Sequence, residues 1–96
     1  MTDTTRPELT IYRAAGCHLC DDAEVLLRDE LAERARSGLP TIEVERVDIA
    51  TDPELEARYR RRIPVFAIAG EHQELVTSPR QIRELLERAL PAPDPS

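Results

Sequence analysis

The alternation of apolar and polar residues near the start of the chain predicts a strand. Leu9 and Ile11 alternate with polar neighbours between residues 8 and 12, and Ala14-Ala15-Gly16 breaks the pattern. From about His18 to Arg36 apolar residues recur at spacings of three and four, which predicts an amphipathic helix. Its apolar face consists of Ala23, Leu26, Leu27, Leu31 and Ala35. Gly38 and Pro40 are suited to end this helix.

The middle of the chain predicts a second strand and a short helix. Residues 41–49 are rich in β-branched side chains, but the apolar alternation slips at Val47, which predicts a bend or bulge near Arg46. The sequence Thr51-Asp52-Pro53-Glu54 offers an N-cap and a proline suited to the first helical turn, so we expect a short helix to about Arg60.

The last third predicts a hairpin followed by a helix. Residues 65–69 form a short apolar run typical of a buried strand, and Gly70-Glu71-His72 is the expected turn. Glu74-Leu75-Val76 is then expected to pair back as the final strand. Ser78-Pro79-Arg80-Gln81 matches a capping box with proline at the first helical position. The helix it opens has one apolar face: Ile82, Leu85, Leu86 and Ala89.

The resulting order of elements is β-α-β-α-β-β-α, an α/β domain that begins with a parallel βαβ unit. A chain of 96 residues has room for one such domain. We assign it to residues 8–90, with a flexible N-terminus over 1–7 and a disordered, proline-rich tail over 91–96.

Charge and hydropathy exclude several classes of partner. The net charge of −6 does not favour binding to nucleic acid phosphates or to anionic lipid, so neither nucleic acid nor membrane is an expected partner. No apolar run approaches the roughly 20 residues of a membrane span, and no secretory signal is evident, so we expect a cytoplasmic protein. All 13 basic residues are arginines, which we interpret as the codon bias of a GC-rich, bacterial genome.

The two cysteines, Cys17-His18-Leu19-Cys20, carry the candidate chemistry. Cys17 falls where the first strand meets the first helix, and the N–H groups there stabilise a thiolate and lower its pKa. Cys20 lies one helical turn further on, near enough for a disulfide, so we assign attack to Cys17 and resolution to Cys20. Gly16 and His18 are expected to tune this site: Gly16 removes bulk before the nucleophile, and a protonated His18 would favour the thiolate. The neighbouring acids, Asp21 and Asp22, would act in the opposite sense.

A pair of cysteines at this spacing has other interpretations. It could be half of a zinc site, but His18 and His72 are the remaining soft ligands, and His18 is too close in sequence to bind beside both sulfurs. It could also be a buried pair of small apolar side chains. The position between a strand and a helix favours a redox dithiol.

The order of elements, the Cys17–Cys20 turn and the segment Arg62-Ile63-Pro64-Val65 together indicate a family. From about Leu9 to Leu90, the chain resembles the glutaredoxin-like branch of the thioredoxin fold. The resemblance implies a four-stranded mixed sheet with helices on both faces. It implies that Cys17 attacks and Cys20 resolves, that Pro64 is a cis-proline facing the dithiol, and that Ile63 binds substrate through main-chain atoms. A cis bond before proline occurs in about one case in twenty, so this is a sharp expectation.

The chain departs from glutaredoxins that use glutathione. His18 and Leu19 replace the usual proline and aromatic residue, and Arg13 lies four residues before Cys17 where those proteins have a lysine three before it. The segment 76–79 replaces their Gly-Gly and acidic pair. The small thiol partner is therefore left open as glutathione or another low-molecular-weight thiol.

Arginines before the proline are the candidate binding groups. Arg60 and Arg62, with Arg13, could attract the carboxylates of a thiol or of an acidic partner; the alternative is a solvated helix end rich in arginine, which also includes Arg58 and Arg61. The predicted substrate-binding set is therefore Arg13, Arg60, Arg62, Ile63 and Pro64. Tyr12 and Tyr59 are expected at the edge of the core, and His72 is expected to be solvated in the hairpin turn.

The leading hypothesis is a monomeric thiol–disulfide oxidoreductase with no permanently bound cofactor. Its expected partners are a disulfide-containing protein or a small thiol, with a reductase as a further candidate. Two alternatives remain open: a carrier of a metal or an iron–sulfur cluster held between two chains, and an interaction module that has lost redox turnover.

Overall fold

The computed structural model describes residues 7–90, and it contains one sheet and three helices. The predicted tail 91–96 and all but Pro7 of the predicted N-terminal segment lie outside the described residues. A 3-10 turn at Ile49–Thr51 follows the second strand. The elements are β1 (Glu8–Arg13), α1 (His18–Arg36), β2 (Glu43–Asp48), α2 (Pro53–Tyr59), β3 (Val65–Ile68), β4 (Glu71–Gln73) and α3 (Pro79–Ala89).

The four strands form a mixed sheet in the order β2-β1-β3-β4. β1 runs parallel to β2, with Arg13 opposite Asp48, and antiparallel to β3, with Tyr12 opposite Val65. β3 and β4 form an antiparallel hairpin. The topology confirms the predicted α/β fold with a mixed four-stranded sheet.

Helices cover both faces of this sheet. Leu9 and Ile11 of β1 point to one face with their partners Ile68 and Phe66, and together they form the core with apolar residues of α1 and α3. The buried helical members of this core are Ala23, Leu27, Ile82, Leu85 and Leu86. On the other face, the ring of Tyr12 stacks on Tyr59 of α2. Alternate residues of β1 thus pack on opposite faces of the sheet, because successive strand side chains point in opposite directions.

The helix starts follow their sequence signals. Asp52 caps α2 by accepting the backbone N–H of Glu54 at 2.9 Å. Ser78 caps α3, and the Ser78–Gln81 capping box is present with Pro79 at the first helical position, as predicted.

The predicted bulge near Arg46 is wrong. β2 pairs residue by residue with β1 over its whole length. The apolar phase slips for another reason: β2 is an edge strand that is exposed along most of its length, with Val44 on the Leu9 side and Val47 on the Tyr12 side. Neither face of such a strand has to be uniformly apolar.

The predicted hairpin is displaced by three residues. The turn consists of Ala69 and Gly70, with φ values of 52° and 82°, and both residues adopt the left-handed conformation of a tight two-residue turn. His72 lies in β4 opposite Ala67, not in the turn, although it is exposed. Residues 74–76, predicted as a strand, form the loop between β4 and α3. The sequence gives no strong signal for a turn at Ala69, because alanine rarely takes a positive φ.

Within residues 7–90, no helix has the length and apolar character needed to span a bilayer.

Candidate functional site

Cys17 caps the first helix with its sulfur. Its backbone is extended, with φ −91° and ψ 105°, and its Sγ accepts the backbone N–H of Cys20 at 3.0 Å. The N–H of Asp21 is bound by the carbonyl of Cys17 at 3.1 Å. Because the first N–H groups of a helix lack partners within the helix, the Cys17 sulfur occupies the position where negative charge is best stabilised.

The turn before Cys17 leaves the sulfur approachable. Gly16 has a φ of 76°, which favours glycine, and no neighbouring atom lies within 4 Å of the place where a side chain would begin. Gly16 and His18 are both exposed, and they lie on either side of Cys17. An incoming disulfide therefore meets little steric hindrance here.

The two cysteines form a disulfide but differ in exposure. The Cys17–Cys20 bridge joins Cα atoms 5.2 Å apart. Cys20 is completely buried, with 0% of its surface exposed, whereas Cys17 is partly exposed. An external thiol can thus reach Cys17 far more easily than Cys20.

The peptide bond between Ile63 and Pro64 is cis, which confirms the sequence-based expectation. Pro64 immediately precedes Val65, the partner of Tyr12, and therefore lies at the end of β1 where Arg13 leads into the turn to Cys17. The cis-proline loop and the cysteine turn consequently share one end of the sheet.

The backbone around Pro64 is held from two directions. The carbonyl of Tyr59 accepts the N–H groups of Arg62 at 2.7 Å and Ile63 at 3.0 Å. From the other side, the N–H groups of Leu75 and Val76 donate to the carbonyls of Arg62 and Pro64 at 2.9 and 3.1 Å. Within the described residues the carbonyl of Ile63 has no backbone partner, so this oxygen, not the N–H, is available to a substrate.

The predicted arginines have different surroundings. Arg13 is turned onto α1, where its guanidinium bonds to Glu24 and, at 2.9 Å, to Asp21. One nitrogen of the Arg62 guanidinium lies 3.1 Å from both carboxylate oxygens of Glu74. Arg60 caps the end of α2, is exposed, and has no ion pair with any residue between 7 and 90. Arg60 is thus the predicted arginine whose charge is most available to a ligand.

Glu24 is the centre of an ion-pair network beside the site. Its side chain is 12% exposed and binds Arg13 of β1 and Arg46 of β2, the latter at 2.6 Å. Burial raises the pKa of Glu24, but hydrogen bonds and charges from Arg46 and Arg13 outweigh this effect and hold the pKa below its usual value. The hydrogen bond that Arg13 donates to Glu24 is the largest cause of the raised pKa of Arg13, and it outweighs the desolvation that lowers this pKa. The network ties α1 to two strands one helical turn after Cys20.

Sequence reasoning missed Glu24 and Leu75. Glu24 has a usable signal, since it follows the buried Ala23 and lies four residues after Cys20 on the same side of α1. Leu75 carries no signal in one sequence, because its part in the site comes from its bonds to the loop before Pro64.

The described residues contain no group of three or more His, Cys, Asp or Glu side chains that could hold a metal ion. A groove of about 610 Å³ lies at the other end of the sheet, lined by Pro7 before β1, Pro40 before β2 and Leu90 after α3. It is separate from the cysteine site, which follows the opposite end of β1.

Residues 8–90 match the family model described as the glutaredoxin-like domain (DUF836). The chain is similar to the structural genomics target XcR50 from X. campestris, with 32% identity and a TM-score of 0.65, covering 84% of this chain and 97% of that one. It is also similar to protein Ne2328 from Nitrosomonas europaea, with 27% identity, a TM-score of 0.53 and coverage of 77% and 80%.

A thioredoxin from Fasciola hepatica is similar in fold alone, with 19% identity, a TM-score of 0.58 and coverage of 88% of this chain and 81% of that one. A comparison with curated proteins gives no match.

Proposed function

Because this chain belongs to the glutaredoxin-like domain family (DUF836), we propose that it is a thiol–disulfide oxidoreductase in which Cys17 and Cys20 alternate between dithiol and disulfide. The observation that carries the proposal is the asymmetry of the bridge: a partly exposed Cys17 whose sulfur caps a helix, joined to a fully buried Cys20. A nucleophile needs both access and a stabilised thiolate, and Cys17 combines them.

The reaction begins from the reduced pair. The thiolate of Cys17 attacks one sulfur of a substrate disulfide, forms a mixed disulfide, and releases the other substrate sulfur as a thiolate. Cys20, deprotonated, then attacks the Cys17 sulfur and expels the second substrate thiolate. The substrate gains two electrons, the protein is left with the Cys17–Cys20 disulfide, and an external thiol or a reductase restores the dithiol.

Substrate is held beside Cys17 by the cis-proline loop. The free carbonyl oxygen of Ile63 can accept a hydrogen bond from a substrate N–H, and Pro64 fixes the direction of that carbonyl. The exposed guanidinium of Arg60 attracts a carboxylate of the thiol or partner. Arg13 and Arg62 act indirectly, because their guanidinium groups already bind carboxylates of this chain. We propose the reducing environment of the cytoplasm as the setting.

A redox titration tests the proposal. The protein is equilibrated in a series of thiol/disulfide buffers, free thiols are blocked with a heavy alkylating agent, and the oxidised fraction is measured by gel shift. A reversible two-electron transition between roughly −280 and −120 mV is the expected result. A pair that stays reduced, or stays oxidised, in every buffer would contradict the proposal. Heavy alkylation of a Cys17→Ser, Cys20→Ser double variant provides the unmodified reference band.

A further inference from the structure

Leu75 holds a backbone conformation that leucine rarely adopts. Its φ is 51°, in the left-handed region where glycine and asparagine are at home and bulky side chains are uncommon. Leu75 is 47% exposed, so burial in the core does not offset the unfavourable backbone. An exposed leucine in such a position points to a role other than stabilising the fold.

Three hydrogen bonds and one ion pair keep the Leu75 segment in place. The Leu75 N–H donates to the Arg62 carbonyl at 2.9 Å, and its carbonyl accepts Nε2 of Gln81 at 3.3 Å. The preceding Glu74 binds the Arg62 guanidinium, and the following Val76 donates its N–H to the Pro64 carbonyl. The surroundings therefore impose the conformation, and the leucine side chain is presented to solvent in a fixed position.

The position is beside the cis-proline. Since Arg62 and Pro64 bind the backbone of Leu75 and Val76, Leu75 lies next to Ile63 at the end of the sheet that carries Cys17. A second exposed leucine belongs to the same end: Leu19, between the two cysteines, is 50% exposed. The site therefore offers apolar side chains on two separate elements, α1 and the loop before α3.

We propose that Leu75 is a specificity-determining residue that selects polypeptide disulfides with an apolar side chain next to the reacting cysteine. The inference rests on the proposed function and names its substrate class. A small, charged thiol has no group that would gain from contact with two leucines, whereas an apolar side chain of a polypeptide loses water on contact with them.

The reaction on such a substrate can be followed with a peptide cysteine in mixed disulfide with thionitrobenzoate. The Cys17 thiolate attacks the peptide sulfur and releases thionitrobenzoate, which is coloured. Cys20 then attacks the Cys17 sulfur and releases the peptide thiolate. The peptide disulfide is reduced by two electrons, and the dithiol is oxidised to the Cys17–Cys20 disulfide.

The experiment compares two such peptides that differ only in having leucine or serine after the cysteine, with hydroxyethyl disulfide as a small probe. The proteins are the parent, Leu75→Gly, Leu75→Asn and the control Leu39→Asn, all reduced beforehand and assayed in single turnover. Glycine and asparagine both accept a positive φ, so the two Leu75 variants remove the side chain without straining the loop. Leu39 is 40% exposed and lies at the other end of the sheet.

We expect both Leu75 variants to lower the second-order rate constant for the leucine peptide about five- to tenfold. The loss should come from a higher half-saturating peptide concentration. The serine peptide, hydroxyethyl disulfide and the Leu39→Asn control should keep the parental rate constants, and the Tm of Leu75→Gly should stay within about 4 °C of the parent or rise.

Equal rate constants of the parent for the two peptides would overturn the inference, as would parental rates of Leu75→Gly on the leucine peptide. An equal loss on all three probes with a large fall in Tm would identify Leu75 as a structural residue and overturn it too. If the parent reduces none of the probes, the proposed function itself fails. The three probes therefore distinguish a failure of the inference about Leu75 from a failure of the proposed function.

Discussion

Tyr12 of β1 stacks on Tyr59 of α2 with ring centroids 4.8 Å apart and ring planes inclined by 30°. The carbonyl of Tyr59 in turn accepts the N–H groups of Arg62 and Ile63. The stack therefore fixes the end of α2 against the sheet, and through that carbonyl it positions the residues that precede Pro64.

Replacing Tyr59 by alanine should destabilise the protein by about 2 kcal/mol, because the stacked ring is lost and a partly buried cavity replaces it. Urea unfolding measures the change. Tyr59→Phe keeps the ring and the backbone carbonyl, so it should unfold within about 0.5 kcal/mol of the parent. If the alanine and phenylalanine variants unfold at the same urea concentration, the stack does not stabilise α2.

The unequal exposure of the two cysteines predicts unequal variants. Cys17→Ser should lose disulfide reduction almost completely, because Cys20 is buried and inaccessible to a substrate. In the Cys20→Ser variant, Cys17 should still attack the substrate, but the mixed disulfide should accumulate because no second thiol resolves it. Mass spectrometry of the non-reduced variants after incubation with a peptide disulfide measures the adduct. Equal, mild losses in both variants would contradict the assigned roles.

The lowered pKa of Glu24 predicts a pH-dependent contribution to stability. A carboxyl whose pKa is depressed in the folded state contributes stability above its unfolded pKa of about 4.3 and loses it as the pH falls through the folded value. Glu24→Gln should thus be less stable than the parent by about 1–2 kcal/mol at pH 7, and the difference should shrink below about pH 4. Urea unfolding of both proteins over a pH range of about 3 to 7, which spans the unfolded pKa of the glutamate, gives the comparison.

Glu84→Gln is the matched control for Glu24. Glu84 is exposed on α3 and forms no ion pair with the described residues, so its replacement should leave stability nearly unchanged at every pH. A stability difference for Glu24→Gln that does not vary with pH would show that the network contributes by packing alone.

Arg60 is expected to act on acidic thiols. Arg60→Gln should raise the KM for glutathione disulfide about two- to fivefold at low salt with little change in kcat, because an exposed charge contributes modest and easily screened attraction. Arg28→Gln removes the same charge from an exposed position on α1 and serves as the control. A steady-state assay at two salt concentrations distinguishes them. Identical KM values for the two variants would remove Arg60 from the binding site.

Most of the fold could be predicted because its signals are local. The three helices have capping residues at their starts, and β1 and β3 have apolar residues that must be buried. The hairpin could not be placed correctly, since both residues of its turn, Ala69 and Gly70, have a positive φ. Glycine is the residue type that signals such a conformation in a sequence, and alanine is not. The edge strand β2 could not be predicted in detail for a different reason, because a strand exposed along most of its length needs no strict alternation of apolar and polar residues.

The candidate site could be predicted where it depends on neighbours in sequence and not where it depends on contacts across the fold. Cys17, Cys20 and Pro64 were identified from short motifs. The pairing of Arg13 with Glu24 and of Arg62 with Glu74 joins residues that are 11 and 12 positions apart. No pattern within one sequence distinguishes these arginines from Arg60, which forms no ion pair with the described residues.

Under the proposed function, the burial of Cys20 also determines the order of events in a full cycle. The oxidising substrate and the reducing thiol must both enter at Cys17, since it is the one sulfur of the pair that solvent reaches. Donor and acceptor therefore compete for a single entrance and cannot be bound productively together. Turnover must alternate between two half-reactions, and a high concentration of either partner should inhibit the reaction of the other.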